Sequence, residues 1–234
     1  MVLTDKKIHI LVVEDDNDIN QLLCNIIRRN GYLPQPAYSG TEAVLYLDKQ
    51  EWDMVLLDMM LPGLGGEELL DRIQMTGPIP VIVISAKEES RTKVAMLRRG
   101  ADDYITKPFD IDEVSARIDS HLRRYRRGTP AEGKEQLLQF KSIRLDQEAK
   151  SVSLGDTVLT LTAREYEILA LLMSSPKKVF TKANVYESVW GEEFFGDDNT
   201  INVHISNLRS KLAKASPDEE FIETLWGMGY RLKP

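Results

Sequence analysis

Short apolar runs alternate with longer segments of helical periodicity in the first half of the chain. The runs lie at residues 8–13, 32–37, 54–57, 81–84 and 104–106. Runs that are continuously apolar are typical of strands buried on both faces of a parallel sheet. Between them the apolar spacing predicts helices, including ones over residues 41–49, 90–99 and 111–127. The pattern predicts five strand–helix units, and therefore an α/β, doubly wound parallel sheet with helices on both faces.

The pattern changes after residue 127. Residues 128–136 are polar and rich in Gly and Pro, which indicates a linker. Residues 138–161 alternate short strand-like runs with polar turns, which predicts a small antiparallel sheet. Helices are then expected from the capping box of Thr162 and Glu165, from Thr181 to about Trp190, and over residues 200–215. With a Gly-rich hairpin over 222–232, residues 137–234 form a second, α+β domain beside the first at 1–127.

Composition and charge restrict the function classes. The chain has 234 residues, of which 42% are hydrophobic and 29% charged, as in soluble globular proteins. No apolar run approaches the roughly 20 residues that span a bilayer, so we expect a cytoplasmic protein without membrane contact. A single cysteine, Cys24, cannot form an internal disulfide. The net charge of −7 means that any contact with DNA requires a local basic patch.

Polar side chains stand at the ends of four of the predicted strands. Glu14 and Asp15 follow the first strand, Asp58 ends the third, Ser85 ends the fourth and Lys107 follows the fifth. These ends converge on one crevice in a doubly wound sheet. Crowded carboxylates favour a hard cation such as Mg²⁺, which would let the Asp58 carboxylate accept a phosphoryl group. Lys107 would clamp the anion and Ser85 would donate a hydrogen bond to it.

Each of these residues has a simpler interpretation when taken alone. Asp16 or Asn17 is expected to be only the N-cap of the first helix. Glu14 and Asp15 could form a solvated loop, and Lys107 with Pro108 could be an ordinary turn. Four strand ends that carry complementary groups favour the phosphoryl-transfer interpretation.

Four motifs of the first domain resemble those of bacterial response-regulator receivers, which have a flavodoxin-like fold. They are VVEDD (12–16), LDMMLPG (57–63), SA (85–86) and GADDYITKPF (100–109). The resemblance implies that Asp58 is the phosphoacceptor for a sensor histidine kinase. It implies a Mg²⁺ site made by Glu14, Asp15, Asp58 and the backbone carbonyl of Met60. Lys107 would contact the phosphoryl group, and Ser85 and Tyr104 would form the switch pair.

The same resemblance implies a dimer face on the fourth helix, fifth strand and fifth helix. In the OmpR/PhoB subfamily, phosphorylation promotes a two-fold dimer through crossed ion pairs on this face. The matching residues are Lys93, Asp102, Asp103, Glu113, Arg117 and Arg124. Arg98 departs from the subfamily pattern and should weaken the dimer slightly. Without the resemblance, a solvated helix face would explain these charges.

The third helix of the second domain has an apolar face and a polar face. Ile201, Ile205, Leu208 and Leu212 share the apolar face. Three basic residues and no acidic one lie between residues 201 and 216, which forms a local positive patch. Short polar side chains flanked by cations suit entry into the major groove. A plain amphipathic surface helix is the alternative.

Three further motifs are similar to the OmpR/PhoB winged helix-turn-helix: LTAREYEIL (161–169), NTINVHISNLRSK (199–211) and GMGYR (227–231). The similarity implies that the third helix reads the major groove and that the hairpin is the wing. Trp226 replaces a frequent wing Arg, so we expect a shallow salt dependence of DNA binding. The candidate DNA contacts are Thr200, Asn202, Val203, His204, Ser206, Asn207, Arg209, Ser210, Lys211, Lys214, Trp226, Gly227, Tyr230 and Arg231.

Together these features predict a phosphorylation-activated transcriptional regulator of a two-component system, not an enzyme. We expect it to dimerise on phosphorylation, to bind paired promoter half-sites and to contact RNA polymerase. The alternatives are a phosphorylation-independent regulator and an aspartyl-nucleophile phosphatase. Dehalogenase-type phosphatases need a second Asp two residues after the nucleophile, where this chain has Met60.

Overall fold

The computed structural model describes residues 7–86, 90–127, 137–191, 194 and 199–234, with the backbone alone described at 90–91 and 123–127. The predicted linker at 128–136 lies outside the described residues. The chain divides into two compact units, Met1–Leu122 and Arg123–Pro234. The first unit is built around two hydrophobic cores and the second unit around one.

The first unit contains a five-stranded parallel sheet, as predicted. The strands are β1 (His9–Val13), β2 (Leu33–Ala37), β3 (Met54–Asp58), β4 (Val81–Ser85) and β5 (Asp103–Thr106). Their order is β2-β1-β3-β4-β5, and each neighbouring pair is parallel. Successive strands are added on opposite sides of β1, so the order reverses between β1 and β3. Ligands bind at such a switch point in doubly wound folds.

Helices cover both faces of this sheet. They are α1 (Asn17–Arg29), α2 (Gly40–Leu47), α3 (Gly66–Thr76), α4 (Ser90–Arg99) and α5 (Ile111–Arg127). The Asp16 side chain accepts hydrogen bonds from the amides of Asp18 and Ile19, which confirms it as the N-cap of α1. The second helix is shorter than predicted, because Asp48 already caps it.

The buried strands divide their side chains between two cores. On β1, Ile10 and Val12 pack with α1 and α5 residues on one face, while Leu11 and Val13 pack with α2 and α3 residues on the other. Side chains on a strand alternate between faces, so a sheet that is covered on both sides needs apolar residues at every position. The continuous apolar runs of the sequence therefore arise from this layered packing.

The loop after Asp58 packs tightly against the start of α3. A Cβ added to Gly66 would lie 2.6 Å from the Met59 Cα and 2.7 Å from the Asp58 carbonyl oxygen. Only glycine permits this close approach. The backbone that carries Asp58 is therefore held between its own strand and the first turn of α3.

The second unit begins with an antiparallel sheet in the order β6-β7-β8-β9. Its strands are β6 (Leu137–Phe140), β7 (Ile143–Asp146), β8 (Ser151–Leu154) and β9 (Thr157–Leu159). Three helices follow, α6 (Ala163–Ser174), α7 (Lys182–Trp190) and α8 (Thr200–Ala215), and a hairpin of β10 (Ile222–Leu225) and β11 (Gly229–Leu232) ends the chain. The predicted capping box is present, with Thr162 and Glu165 exchanging hydrogen bonds. Within the described residues, no helix is long and apolar enough to cross a membrane.

Candidate functional site: an acidic crevice and a helix–hairpin surface

The first candidate site lies at the carboxyl ends of β1 and β3. Glu14 follows β1, and its amide donates to the Ala37 carbonyl at 3.1 Å. Asp58 is the last residue of β3, where it pairs in register with Ile84 of β4. Both side chains are buried, with Glu14 only 1% and Asp58 5% exposed, whereas Asp15 is exposed. The switch point of the sheet therefore carries two buried carboxylates beside one that faces solvent.

Lys107 joins the two buried carboxylates. Its Nζ lies 2.6 Å from Glu14 Oε2 and 2.6 Å from Asp58 Oδ2. Its backbone amide donates to the Ser85 carbonyl at 2.9 Å, which ties the residue to the end of β4. The structure thus brings together four strand ends that lie far apart in the sequence. Lys107 is placed where its charge reaches any anion attached to Asp58.

Burial perturbs the protonation of these groups. It raises the pKa of Glu14 to about 7, with the neighbouring Asp58 charge adding to the increase and Lys107 opposing it. Burial alone would lower the pKa of Lys107, but hydrogen bonds and attraction from Asp58 and Glu14 outweigh it and raise that pKa. The Lys107 ammonium is therefore strongly held in its charged form. Its single positive charge does not fully offset the cost of burying the Glu14 and Asp58 carboxylates.

The carboxylates have the chemistry and the spacing of a divalent-cation site. One oxygen from each of Glu14, Asp15 and Asp58 lies within 4.8 Å of the others. Hard oxygen donors of this kind suit Mg²⁺, which keeps several waters and needs few protein ligands. Met60 follows in the exposed loop, and its amide donates to Asp58 Oδ1 at 3.0 Å. The residues present therefore fit Mg²⁺.

Asn20 is a site residue that the sequence interpretation missed. It is fully buried, and its side-chain amide donates to the carbonyls of Glu14 (2.9 Å) and Ala37 (3.2 Å). It thereby fixes the segment that carries Glu14 against the end of β2. The sequence does indicate its role, because Asn20 is a polar residue on the otherwise apolar face of α1 that carries Leu23 and Cys24.

Ser85 and Tyr104 lie on neighbouring strands. Ser85 ends β4 and is fully buried, and Tyr104 on β5 is 4% exposed and pairs in register with Val83. Both residues therefore line the interior on the β4–β5 side of the crevice.

The structure places the candidate dimer-face residues in different environments. Asp102 is fully buried, and its Oδ2 accepts a hydrogen bond from the Val81 amide at 2.8 Å. It therefore does not present a carboxylate to a partner, which corrects the expectation of a surface charge. Asp103 is also buried, but its carboxylate forms an ion pair with Arg117, whose Nη1 lies 2.8 Å from Asp103 Oδ2. The Arg124 side chain lies outside the described residues.

The ion pair of Asp103 belongs to a small charged network. Arg117 also pairs with the more exposed Glu113 at 3.0 Å, one helical turn away. His121 Nε2 lies 3.4 Å from Asp103 Oδ2. Burial alone would raise the pKa of Asp103, but Arg117 and His121 outweigh it and hold that pKa far below its usual range.

The second candidate site is the surface of α8 and the following hairpin. Ile201, Ile205, Leu208 and Leu212 are buried, as their spacing predicts, and dock the helix on its domain. Ser206 and Ser210 are exposed, and Asn202 and Asn207 are half-buried. The outer face of α8 therefore carries short polar side chains that can hydrogen-bond to bases.

Four of the candidate DNA contacts are more buried than expected. Val203 is 7% exposed and His204 is fully buried, with its ring 5.5 Å from that of Trp190. His204 is a packing residue, and the expectation of a DNA contact there is corrected. Thr200 (3% exposed) and Tyr230 (5%) also have buried side chains. The Tyr230 hydroxyl donates to Asn202 Oδ1 at 2.7 Å, so it supports the α8 surface from behind.

Most cations on this surface are held by the protein itself. Arg209 donates to the Ile222 carbonyl at 3.1 Å and to Thr224 Oγ1 at 2.8 Å. Lys211 pairs with the buried Glu165 at 2.6 Å, and Arg231 pairs with Glu223. Lys214 is exposed near the end of α8. The patch is therefore less available to phosphates than the count of basic residues suggests.

Comparisons with known proteins agree with this arrangement. Residues 10–119 match the family described as response regulator receiver domain, and residues 156–232 match the family described as transcriptional regulatory protein, C terminal. The uncharacterized transcriptional regulatory protein YcbL of Bacillus subtilis is 40% identical over 95% of this chain and 99% of its own. ResD of the same organism, a transcriptional regulatory protein, is 36% identical over 96% and 95%.

A solved structure agrees over the whole length. A mutant of RitR, in which an aspartate replaces a cysteine, covers 97% of this chain and 99% of its own, with a TM-score of 0.83 at 27% identity. The chain belongs to the OmpR/PhoB family of two-component response regulators, with a receiver domain and a C-terminal DNA-binding domain. It is a transcriptional regulator, as its relatives are named, and phosphorylation-dependent activity is typical of this family.

Proposed function

We propose that Asp58 is the phosphoacceptor of this regulator and that its phosphorylation controls binding to promoter DNA. The observation that supports this most directly is the grouping of Asp58, Glu14 and Lys107 within 2.6 Å contacts at the switch point of the sheet. An Asp58 oxygen would attack the phosphorus of a phosphohistidine on a sensor kinase. The new O–P bond forms as the P–N bond breaks, and the electron pair returns to the histidine nitrogen.

The residues around Asp58 have distinct parts in this transfer. Lys107, which already contacts Asp58 Oδ2, donates N–H groups to the phosphoryl oxygens. Ser85 donates its hydroxyl and acts with Tyr104 as the switch pair. Glu14, Asp15 and Asp58, whose oxygens lie close together, would hold Mg²⁺ with the Met60 carbonyl. The ion would supply positive charge to offset that of the transferring phosphoryl group.

The output is DNA binding by the second domain. Helix α8 reads the major groove with Asn202, Ser206, Asn207 and Ser210, because these are accessible uncharged side chains that can hydrogen-bond to base edges. We further propose that residues 128–136 link the two domains. Phosphorylated receivers pair through the face that includes Asp103, Glu113 and Arg117, so that two copies occupy paired promoter half-sites. RNA polymerase is the further partner at the promoter, and the cytoplasm is where these partners are found.

Chemical phosphorylation of the full chain tests the first step. A small-molecule acyl phosphate with Mg²⁺ should add one phosphoryl group to the wild type and to Asp48→Asn, which alters an exposed carboxylate in the same domain. Asp58→Asn should remain unmodified in intact-mass spectra. Modification of Asp58→Asn at the wild-type rate would refute the assignment.

Genome-wide DNA binding with the wild type and Asp58→Ala tests the second step. We expect Asp58→Ala to lose occupancy at most sites. Unchanged sites and occupancy would favour the phosphorylation-independent regulator instead.

A further inference from the structure

The tip of the C-terminal hairpin exposes the largest apolar side chain that a protein can carry. Trp226 is 93% exposed and Met228 is 58% exposed, whereas Trp52 and Trp190 are 5% and 2% exposed. Leaving an indole in water forgoes the favourable burial of a large apolar surface. An exposed tryptophan beside an exposed methionine therefore indicates a surface that is covered in a complex.

The hairpin holds these two side chains out on a clamped base. Phe180 and Tyr230 exchange backbone hydrogen bonds of 2.9 Å, which tie β11 to the body of the domain. A Cβ on Gly229 would lie 2.0 Å from the Phe180 carbonyl oxygen, so glycine allows the strand to pass this close. The tip then turns tightly, with Gly227 at φ +75° and the Met228 amide donating to the Leu225 carbonyl at 2.9 Å. Trp226 is thus presented on a preorganised turn.

The tip and the polar face of α8 belong to one surface. Arg209 of α8 donates to Thr224 at 2.8 Å, and the Tyr230 hydroxyl donates to Asn202 at 2.7 Å. Asn202, Arg209 and Trp226 all line one concavity of about 690 Å³. DNA that lies along α8 is therefore adjacent to Trp226.

The chemistry of the tip differs from that of a phosphate-binding or groove-reading cation. Residues 226–228 carry no charge, and the neighbouring Arg209 and Arg231 are engaged with Thr224 and Glu223. A flat aromatic ring and a thioether can instead stack on bases or enter between base steps. Apolar side chains that enter the minor groove unstack a base step and bend the duplex.

We propose that Trp226, supported by Met228, is an apolar wedge that enters the minor groove beside the α8 contact and bends the DNA. The wedge selects flexible pyrimidine–purine steps at its position, because these steps unstack most readily. Trp226 is thereby a specificity-determining residue of the hairpin. The inference rests on the proposed placement of α8 in the major groove.

The test uses the full chain and a duplex that the wild type itself selects from a random-sequence pool. Trp226→Ala should weaken binding about tenfold, in the range of losing one aromatic–base stack. It should also reduce the bend measured by fluorescence energy transfer between the duplex ends. Trp226→Phe should retain most of the affinity and the bend. Val158→Ala removes a 74% exposed apolar side chain elsewhere in the domain and should change neither.

The salt dependence and a base analogue distinguish a wedge from other roles. Trp226→Ala should leave the slope of log K against log salt unchanged, because no cation is removed, whereas Trp226→Arg should steepen it by about one. With wild type, 2-aminopurine at the wedge step should brighten as the step unstacks.

Three results would overturn the proposal. Wild-type affinity and bend in Trp226→Ala would mean that the tip binds another protein instead. Weaker binding with an unchanged bend would mean that Trp226 stacks without insertion. Unchanged 2-aminopurine emission at every step would also exclude insertion. A wrong placement of α8 can be told apart from a wrong wedge by repeating the selection from the random-sequence pool with Asn207→Ala. If α8 does not read the major groove, Asn207→Ala should select the same DNA sequence as the wild type.

Discussion

Replacing Glu14 by Gln should stabilise the metal-free receiver at alkaline pH. Glu14 is 1% exposed, and burial beside Asp58 raises its pKa from 4.5 to about 7 despite the ion pair with Lys107. Between these two pH values the folded state binds a proton that the unfolded state does not. The stability of the receiver therefore falls as pH rises through this window, and the cost is constant above it.

The size of the effect follows from the same two values. Each pH unit of displacement is worth about 1.4 kcal/mol, so the ionised Glu14 costs about 3 kcal/mol at pH 8. Glutamine has nearly the shape of the protonated acid and does not ionise. Glu14→Gln should raise the free energy of unfolding by up to about 3 kcal/mol at pH 8, and the gain should vanish near pH 4.5.

Hydrogen exchange of the full chain measures this effect in one domain. Amides of β1 and β3 report the receiver separately from the second unit, after correction for the intrinsic pH dependence of exchange. Glu51→Gln, which alters an exposed carboxylate, is the matched control and should have no effect. Adding Mg²⁺ should stabilise the wild type more than Glu14→Gln, because a ligand is lost. Equal or lower stability of Glu14→Gln at pH 8 without metal would refute the reasoning.

Three further outcomes follow from other contacts. Asp103→Asn should destabilise the receiver by about 3 kcal/mol in urea unfolding, because it leaves Arg117 without its buried partner. The pKa of Asp103 is lowered, so its contribution is present above the unfolded pKa near 4 and is lost only in stronger acid. A loss in Asp103→Asn of the same size in strong acid as at pH 7 would contradict this. Gly229→Ala should lower the melting temperature of the second unit far more than Gly227→Ala, because only the former meets the Phe180 carbonyl; equal shifts would contradict the packing argument. The log–log salt slope of DNA binding should be well short of about −7 per monomer, the value for eight phosphate contacts, and a slope that steep would show that the held cations are released.

The fold could be predicted from the sequence because its strongest signals are local or periodic. Buried parallel strands are apolar at every position, so β1, β3 and β4 stand out as continuous runs. The capping box of Thr162 and Glu165 marks the start of α6 directly. Helix α3 was only implied by the strand–helix alternation, since its boundary depends on Gly66 packing against Met59. The spacing of apolar residues along the chain cannot predict that these two segments lie in contact.

The environments of individual site residues were less predictable because they depend on tertiary partners. Asp102 has the position of a surface charge in the motif, yet the Val81 amide makes it a buried acceptor. His204 lies at the edge of the polar face of α8, and packing against Trp190 buries it. The sequence predicts that Arg209 contacts phosphate, but its guanidinium donates hydrogen bonds to Ile222 and Thr224. In each case the deciding partner lies at least 13 residues away along the chain.

The same partners limit what charge can contribute to dimerisation. Asp103 and Arg117 are paired within one chain at 2.8 Å, and Glu113 already shares the guanidinium at 3.0 Å. A crossed ion pair between two copies would break one such pair for each pair it makes, so the exchange adds little net attraction. Stabilisation of a dimer must therefore come from contacts that exist only between copies. In the proposed dimer, crossed ion pairs would determine which surfaces match, and phosphorylation would have to change the shape of the α4–β5–α5 face more than its charge.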